Sequence, residues 1–524
     1  MKHENPMMKK IFLRAKRGAS PRPPSHFGRF LAMLAGCCVS IFTATAAVPA
    51  GSAVSIVLEA QHPGAAIPPD FSGLSFEVSL LRPNEDGVRY FRPDNLPLIK
   101  LFHTLGIRHL RIGGNTSDRD ARRLPEEADL DSLFRFAKAA EVKVLYCLRL
   151  HNGDPQADAA TAKYILSRYA AQVDCFSIGQ EPSAYPVGNN DSRPNTERMG
   201  AAHEKYQYPA YAADWKRFAD VILAAAPDAK FAGPGVHNNG AWAQKFMADF
   251  GRSGHVVLIT EHLYPGGAGG KVPTPEIGRD RMLSGESTLT NGFPKAYKKL
   301  YDSFVPQATA EGLPCRLEEV NNYFNGGATN VSNTFAAALW GLDFMHWWAA
   351  HGLAGVDFHT GDRVAAGAEL RPSKYTAFYS TTNGYVIRPL GYGIKAFNLG
   401  GHGRLVPLVM ANPDQFNLSA YAVLGDDQNL YCTIINKEHG PGAVAIKVTL
   451  SDREVELARA QAIFLTAPQN DVAATFGETL GGAQIGEDGS WSGKWQDVSP
   501  AAPAAGIVLE MPPASAVVVK LSHL

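Results

Sequence analysis

The sequence predicts an α/β protein: an eight-stranded (β/α)8 barrel carrying a C-terminal all-β sandwich that also takes an N-terminal strand. Three observations lead there. From Phe71 to about Leu399 short apolar runs alternate with amphipathic helical stretches, and the apolar runs number eight. Beyond Gly400 the pattern turns to short alternating runs separated by turns, as in a β-sandwich. Before the barrel, SAVSIVLEA (Ser52–Ala60) alternates like a half-exposed strand with no partner nearby, so it is expected to complete the distant sheet.

The barrel elements follow in order. GLSFEVSLL is a first strand with Glu77 at its end, and IRHLRIGGNTSD a second that passes Arg111 and ends at Gly113, Gly114 and Asn115. DLDSLFRFAKAAE is a helix with an acidic start, then VKVLYCLRLHN a third strand. PQADAATAKYILSRYAAQ opens with Pro where a helix tolerates it. VDCFSIGQEP is the fourth strand, PAYAADWKRFADVILAAAPDAK a long amphipathic helix, KFAGPGVHNN the fifth strand and GHVVLITEHLYPGG the sixth. A helix is expected around Lys295–Val305, then CRLEEVNN as the seventh strand. NVSNTFAAALWGLDFMHWWAAHG is an apolar helix with polar residues at its start and a stop at Gly352, and LAGVDFHTGD is the eighth strand. The sandwich strands are expected in NLSAYAVLGDD, NLYCTIINKE, GAVAIKVTL, AQAIFLTA and PASAVVVKL. The predicted organisation is a signal segment over 1–47, a sandwich strand within 48–70, the barrel over 71–398 and the sandwich over 399–524.

Composition excludes some classes. Lys+Arg and Asp+Glu balance at 50 each, so no general field draws nucleic acid or an acidic membrane. The N-terminus carries Lys9, Lys10, Arg14, Lys16, Arg17, Arg22 and Arg29, then an apolar run and an A-x-A-like site near Ala44–Ala47, which predicts export to the periplasm or exterior. LAGC at Leu34–Cys37 also fits a lipoprotein box, so a lipid anchor at Cys37 is a second expectation. Cys147, Cys175, Cys315 and Cys432 lie far apart in apolar strands without metal spacing, and are read as buried thiols without bridges. No metal or nucleotide motif emerges, and GGAGG after the sixth strand lacks the strand–Gly–helix spacing of a phosphate cradle, so no cofactor is expected.

Strand C-termini of such a barrel converge on one face, where active sites are built. Two carboxylates stand there on the fourth and seventh strands, Glu181 and Glu319. Paired carboxyls about 5–5.5 Å apart are what double-displacement cleavage of a glycosidic bond requires. Glu181 is assigned as acid/base and Glu319 as nucleophile, with the nucleophile's charge raising the acid's pKa. Glu318 adjoins Glu319, and strand alternation lets only one of them face the barrel mouth. Arg111 is read either as holding the nucleophile ionised or as a structural ion pair. His262 and Tyr264 share a face of the sixth strand, and the Tyr hydroxyl is expected to donate to Glu319. Glu77 and Asp118 are candidate sugar-hydroxyl acceptors, with His359 and Asp362 behind them. Long loops over Ser183–Tyr208 and Gly266–Gly292 leave the same face, and are read as substrate walls or a lid.

In order and placement, SFEVSLL, LRIGGNTSD, IGQEP, EHLYPGG, LEEVNNYFNGG and VDFHTGD resemble glycoside hydrolase family 79, which holds β-glucuronidases and heparanase within the clan A retaining hydrolases. The resemblance implies a β-glucuronidase-like hydrolase acting on a carbohydrate substrate. It selects Glu319 through the Leu-x-Glu pattern, and adds Glu77, His262, Tyr264 and the backbone of Asn325, Gly326 and Gly327, the last three as holders of a uronate carboxylate. Three positions depart from the family pattern. Gln180 precedes the acid/base where the clan has Asn. The family's Tyr after the nucleophile falls at Phe324, beside Tyr323, and a later Tyr falls at Gly391, beside Tyr392. These departures leave two alternatives open: the same mechanism on another glycone or as an endo-hydrolase, and a glycan-binding protein without strong catalysis.

Overall fold

The computed structural model describes residues 53–118, 124–185, 206–285, 292–362, 364–366, 369–498 and 506–523. The signal segment and most of the loop after the fourth strand lie outside the described residues.

Eight parallel strands close into a barrel in chain order: Ser72–Glu77, His109–Gly113, Lys143–Leu148, Val173–Ile178, Phe231–His237, Val256–Leu263, Cys315–Val320 and Gly355–His359. The eighth pairs back onto the first, Val356 opposite Ser72 and His359 opposite Ser75. All eight predicted strands are present. Each is almost wholly buried, since the layer of helices covers its outer face and its inner face fills the barrel.

The helices start where the chain supplies caps. Asp154 accepts from the Gln156 N–H at 3.0 Å, and Pro155 occupies the first position of Pro155–Tyr169. Glu126 and Asp129 form a reciprocal capping box at the start of Glu127–Ala139. The apolar helix Phe335–Ala350 is buried on nearly every face, because the barrel lies on one side and the sandwich on another. Its Asp343 reaches out to the sandwich, accepting from Tyr421 and Lys437 at 2.8 Å each. Four longer helices were not read from the sequence: Leu96–Leu105, Gly240–Phe250, Pro275–Leu283, which interrupts the segment read as a long loop after the sixth strand, and Pro389–Gly400.

The sandwich has the predicted five strands and several short ones besides. Ala53–Leu58 lies inside a four-stranded sheet, antiparallel to Leu408–Ala411 and parallel to Ile446–Asp452. Its alternate residues Val54, Ile56 and Leu58 are fully buried against Ile434, Val448, Val517 and Val519. Cys147, Cys175, Cys315 and Cys432 are buried free thiols.

Candidate active site

The site grows from the C-terminal ends of the barrel strands. Arg111 points inward from the second strand and is fully buried. Its Nη1 donates to Glu319 Oε2 at 2.6 Å and to Ser75 Oγ at 3.1 Å, and its Nη2 to Gln180 Oε1 at 2.5 Å. Two residues on, a Cβ on Gly113 would lie 2.5 Å from the guanidinium carbon, so a bare glycine makes room for the cation. Of the two readings of Arg111, the contact is with the predicted nucleophile itself.

Glu319 is held at both oxygens. Oε2 takes Arg111 and the Gln180 amide (3.1 Å), and Oε1 takes the Tyr264 hydroxyl at 2.9 Å. Burial alone would raise its pKa. The charges of His359, His262 and Arg111, together with the Tyr264 bond, overcome this and hold it well below the usual carboxylate range.

Glu181 closes the fourth strand in the left-handed region, φ 45° and ψ 55°. Few non-glycine residues adopt that conformation, which costs on the order of 1–3 kcal/mol. Backbone bonds pin it: its N–H donates to Gly235 at 3.0 Å, and its carbonyl accepts from Ala184 at 2.9 Å. Oε1 meets His262 Nδ1 at 3.2 Å. One oxygen of Glu181, one of Glu319 and a ring nitrogen of His262 all lie within 4.8 Å of one another. The nearest oxygens of the two carboxyls thus approach more closely than the roughly 6.5–9.5 Å that separates inverting pairs. Both Glu319 oxygens already accept hydrogen bonds and His262 Nδ1 meets Glu181, so the cluster is paired within itself.

Two expectations are corrected here. First, Glu318 and Glu319 both face the barrel interior. Along the sixth strand Glu261 pairs with Leu317 and His262 with Glu319, so Glu318 is an extra residue in a β-bulge. Glu318 Oε2 lies 3.8 Å from Arg111 Nε, and Oε1 lies 3.7 Å from His262 Nε2. Second, the acid's pKa is not raised. Burial and the Glu319 charge push Glu181 up, but the His262 bond and charge outweigh them and the net direction is down.

The remaining candidates separate. His359 joins the site, with Nδ1 3.2 Å from Ser75 Oγ and 3.9 Å from Glu319 Oε2. Glu77 lies 3.7 Å from His359 and accepts from the Thr116 N–H and hydroxyl and from the Asn115 N–H (3.2 Å), so Asn115 reaches the mouth through its backbone. Asp118 is not a sugar acceptor. It is buried, and takes the N–H groups of Leu150, His151 and Gln180 and the Tyr185 hydroxyl, clamping the fourth strand's end. Asp362 likewise supports backbone, accepting from Ser380 N–H at 2.8 Å. Tyr323 turns into the core, its hydroxyl on the Gly278 carbonyl at 2.9 Å, while its neighbour Phe324 packs 6.2 Å from the Tyr264 ring. Asn325, Gly326 and Gly327 follow with positive φ of 59°, 78° and 85°. Gly391 and Tyr392 are far from this constellation in role: Gly391 packs on Ile387 and Ala377, and Tyr392 accepts from Ile485 N–H.

Two site residues escaped the sequence reading. Tyr375 stands 6.2 Å from Tyr264 and 6.0 Å from His359, ring to ring. His237, at the end of the fifth strand, stands 5.8 Å from both Tyr264 and Phe324. A histidine closing GPGVH was a usable signal for the second; nothing in the short segment around Tyr375 announced the first.

The fold is a (β/α)8 barrel with an appended β-sandwich, and the C-terminal ends of its strands carry a close pair of buried carboxylates. No family model matches the chain. A β-glucuronidase of Aspergillus niger is 29% identical over 120 residues, 21% of this chain and 19% of that protein, so the match spans about a fifth of the curated relative's length. Among solved structures, a 4-O-α-L-rhamnosyl-β-D-glucuronidase from Fusarium oxysporum superposes with a TM-score of 0.65 at 16% identity, over 89% of this chain and 100% of that one. A family 51 arabinofuranosidase from Xanthomonas axonopodis pv. citri gives 0.63 at 13% identity, over 90% and 99%. The relation to β-glucuronidases is distant and partial in sequence. Among the described residues, no helix is long and apolar enough to cross a membrane.

Proposed function

We propose that the protein is a retaining, β-glucuronidase-like glycoside hydrolase, removing a terminal uronic acid or related sugar from a glycan or glycoconjugate. The observation that carries this reading is the close pair Glu181 and Glu319, with Glu319 held ionised by Arg111, Gln180 and Tyr264. Glu319 attacks the anomeric carbon as the glycosidic bond breaks, and the leaving oxygen takes its proton from Glu181. Water then gives a proton to Glu181 while its oxygen displaces Glu319 from the sugar. Asn325–Gly327 would present backbone N–H groups to a uronate carboxylate, and the glucuronidase relatives support that glycone. In this reading residues 1–47 direct export, with a lipid anchor at Cys37 as the variant form, 71–398 form the catalytic domain, and 48–70 with 399–524 brace it.

One observation favours a second glycone or an internal cut. The Gln180 amide is engaged by Arg111 at its oxygen and by Glu319 at its nitrogen, so only one N–H is left to it for the sugar 2-hydroxyl. The test is nitrophenol release from the aryl β-glucuronide by the mature chain, beside Glu181→Gln and Glu319→Gln. Release that collapses in both variants supports reaction, sugar and roles together. Release from a neutral glycoside but not the glucuronide transfers the proposal to the second reading. Silence on every glycoside, with glycan binding retained, favours a binding protein.

A further inference from the structure

The bulge at Glu318 leaves a fully buried carboxylate beneath the pair, with no hydrogen-bond partner at either oxygen among the described residues. Such a group costs several kcal/mol unless charges nearby compensate it. Its nearest cations among the described residues are Arg111 Nε at 3.8 Å and His262 Nε2 at 3.7 Å, and those two nitrogens have no hydrogen-bond partner among them either. A Cβ on Gly235 would lie 2.5 Å from Glu318 Oε1, so the fifth strand is bare where the carboxylate lies. The other face of the imidazole is the catalytic one: Nδ1 lies 3.2 Å from Glu181 and 4.0 Å from Glu319. His262 therefore stands between a carboxylate below and the acid/base above.

Charge balance decides the state of the ring. Arg111 and His359 both stand against Glu319, which leaves a protonated His262 as the cation that offsets Glu318. We propose that Glu318 is a positioning residue that keeps His262 an imidazolium, so that His262 and Glu181 share the single proton delivered to the leaving oxygen. This rests on the reading of Glu181 as acid/base. With the proton on Nδ1, Glu181 is a bonded carboxylate; with it on the carboxyl, His262 is neutral and the leaving oxygen can be protonated. Water attack on the glycosyl-enzyme returns one proton to the pair, so the cycle balances. The groups facing His262 are Glu318 and Glu319 from the seventh strand, Glu181 from the fourth, Arg111 from the second, His237 from the fifth and its own neighbour Glu261. Burial lowers the ring's pKa; Glu319, Glu181 and Glu318 reverse that and lift it to about 9.

The test is a pH titration of histidine-labelled full-length protein by NMR, the His262 signal being assigned by its loss in His262→Gln. The expected result is a His262 still protonated at neutral pH in wild type, and a midpoint lower by about one unit or more in Glu318→Gln. A smaller fall is expected in Glu318→Asp, which keeps the charge should the Gln variant not fold. A His262 neutral at pH 7, or a midpoint unmoved by either variant, overturns the proposal. No substrate enters this measurement, so its outcome is separate from that of the hydrolase reading. Where hydrolysis is measurable, the alkaline limb of kcat/KM should fall with the His262 midpoint in Glu318→Gln. A limb that stays while the midpoint moves overturns the shared proton.

Discussion

Two buried ionic clusters lie inside the same barrel, one at each end, and they are built on opposite plans. At the strand starts, His109 puts Nδ1 on Asp357 at 2.7 Å and Nε2 on Asp174 at 3.4 Å, and Arg316 meets Asp357 at 3.2 Å and Asp70 at 3.3 Å. Each imidazole nitrogen has its own carboxylate there, and the Asp174 pKa, lifted by burial, is brought down to about 2 by His109. At the strand ends, Glu318, Glu319 and Glu181 crowd around Arg111 and His262, and the Glu318 carboxylate has no hydrogen-bond partner among the described residues. The lower cluster uses charge to fix structure. The upper one, with the same three carboxylates around two cations, leaves Glu318 beyond hydrogen-bond reach of either, and an incompletely satisfied buried charge is the pattern expected where chemistry is done.

Substitutions should separate the two ends. The largest effect belongs to Glu319→Gln, which should cost on the order of 10⁴-fold or more in kcat/KM on whatever glycoside the wild type cleaves. Its melting temperature should move little, because the one amide oxygen still accepts from Arg111 while the amide N–H can donate to the Tyr264 hydroxyl. Asp357→Asn should do the reverse. It leaves His109 and Arg316 buried without their shared anion, a loss of about 3–5 kcal/mol in unfolding free energy by denaturant titration, with activity largely retained in the folded fraction. If Asp357→Asn unfolded no more easily than Glu319→Gln, the contrast between the two ends would fail.

The pH dependence of stability sharpens the same contrast. Burial and Arg316 lower the His109 pKa, but Asp357 and Asp174 outweigh them and raise it to about 9 from an ordinary 6.5. A folded pKa above the unfolded one stabilises fully below about 6.5 and is lost as pH rises through about 9. Thermal melts of the wild type should therefore fall over that window. His109→Gln should flatten the fall without abolishing it, because His262 is raised in the same sense. A slope unchanged by His109→Gln would mean the lower imidazole is held neutral.

Much of this was legible in the sequence because a barrel strand buried on both faces leaves an unbroken apolar run, and its end leaves a polar residue. FSIGQEP and RLEEV show both signals, so Glu181, Glu319, Arg111, His262 and Tyr264 could be placed on strand ends before any coordinates. The bulge was not legible. Two consecutive Glu residues read as one in and one out, and only the pairing of His262 with Glu319 reveals the extra residue. Tyr375 was hidden for another reason. It lies among strands three residues long, Glu369–Arg371 and Phe378–Ser380, too short for alternation to register. Asp118 and Tyr323 show the opposite failure. Each has a polar group suited to a sugar, but the backbone and core claim them first.

The smallest expected effect tests how tightly the upper cluster is built. Gln180 spans Arg111 and Glu319, accepting from one and donating to the other. Gln180→Asn withdraws the amide by one methylene, so at least one of those bonds is lost. Glu319 keeps Arg111 and Tyr264, and a single hydrogen bond to a charged group contributes roughly 1–2 kcal/mol. The expected outcome is a fall in kcat/KM of about three- to thirtyfold, carried by kcat, with the melting temperature nearly unchanged. A rise on the glucuronide would say that an amide at this position serves the sugar better than it serves the nucleophile. The Glu319 carboxylate would then be held by Arg111 and Tyr264 without help from Gln180.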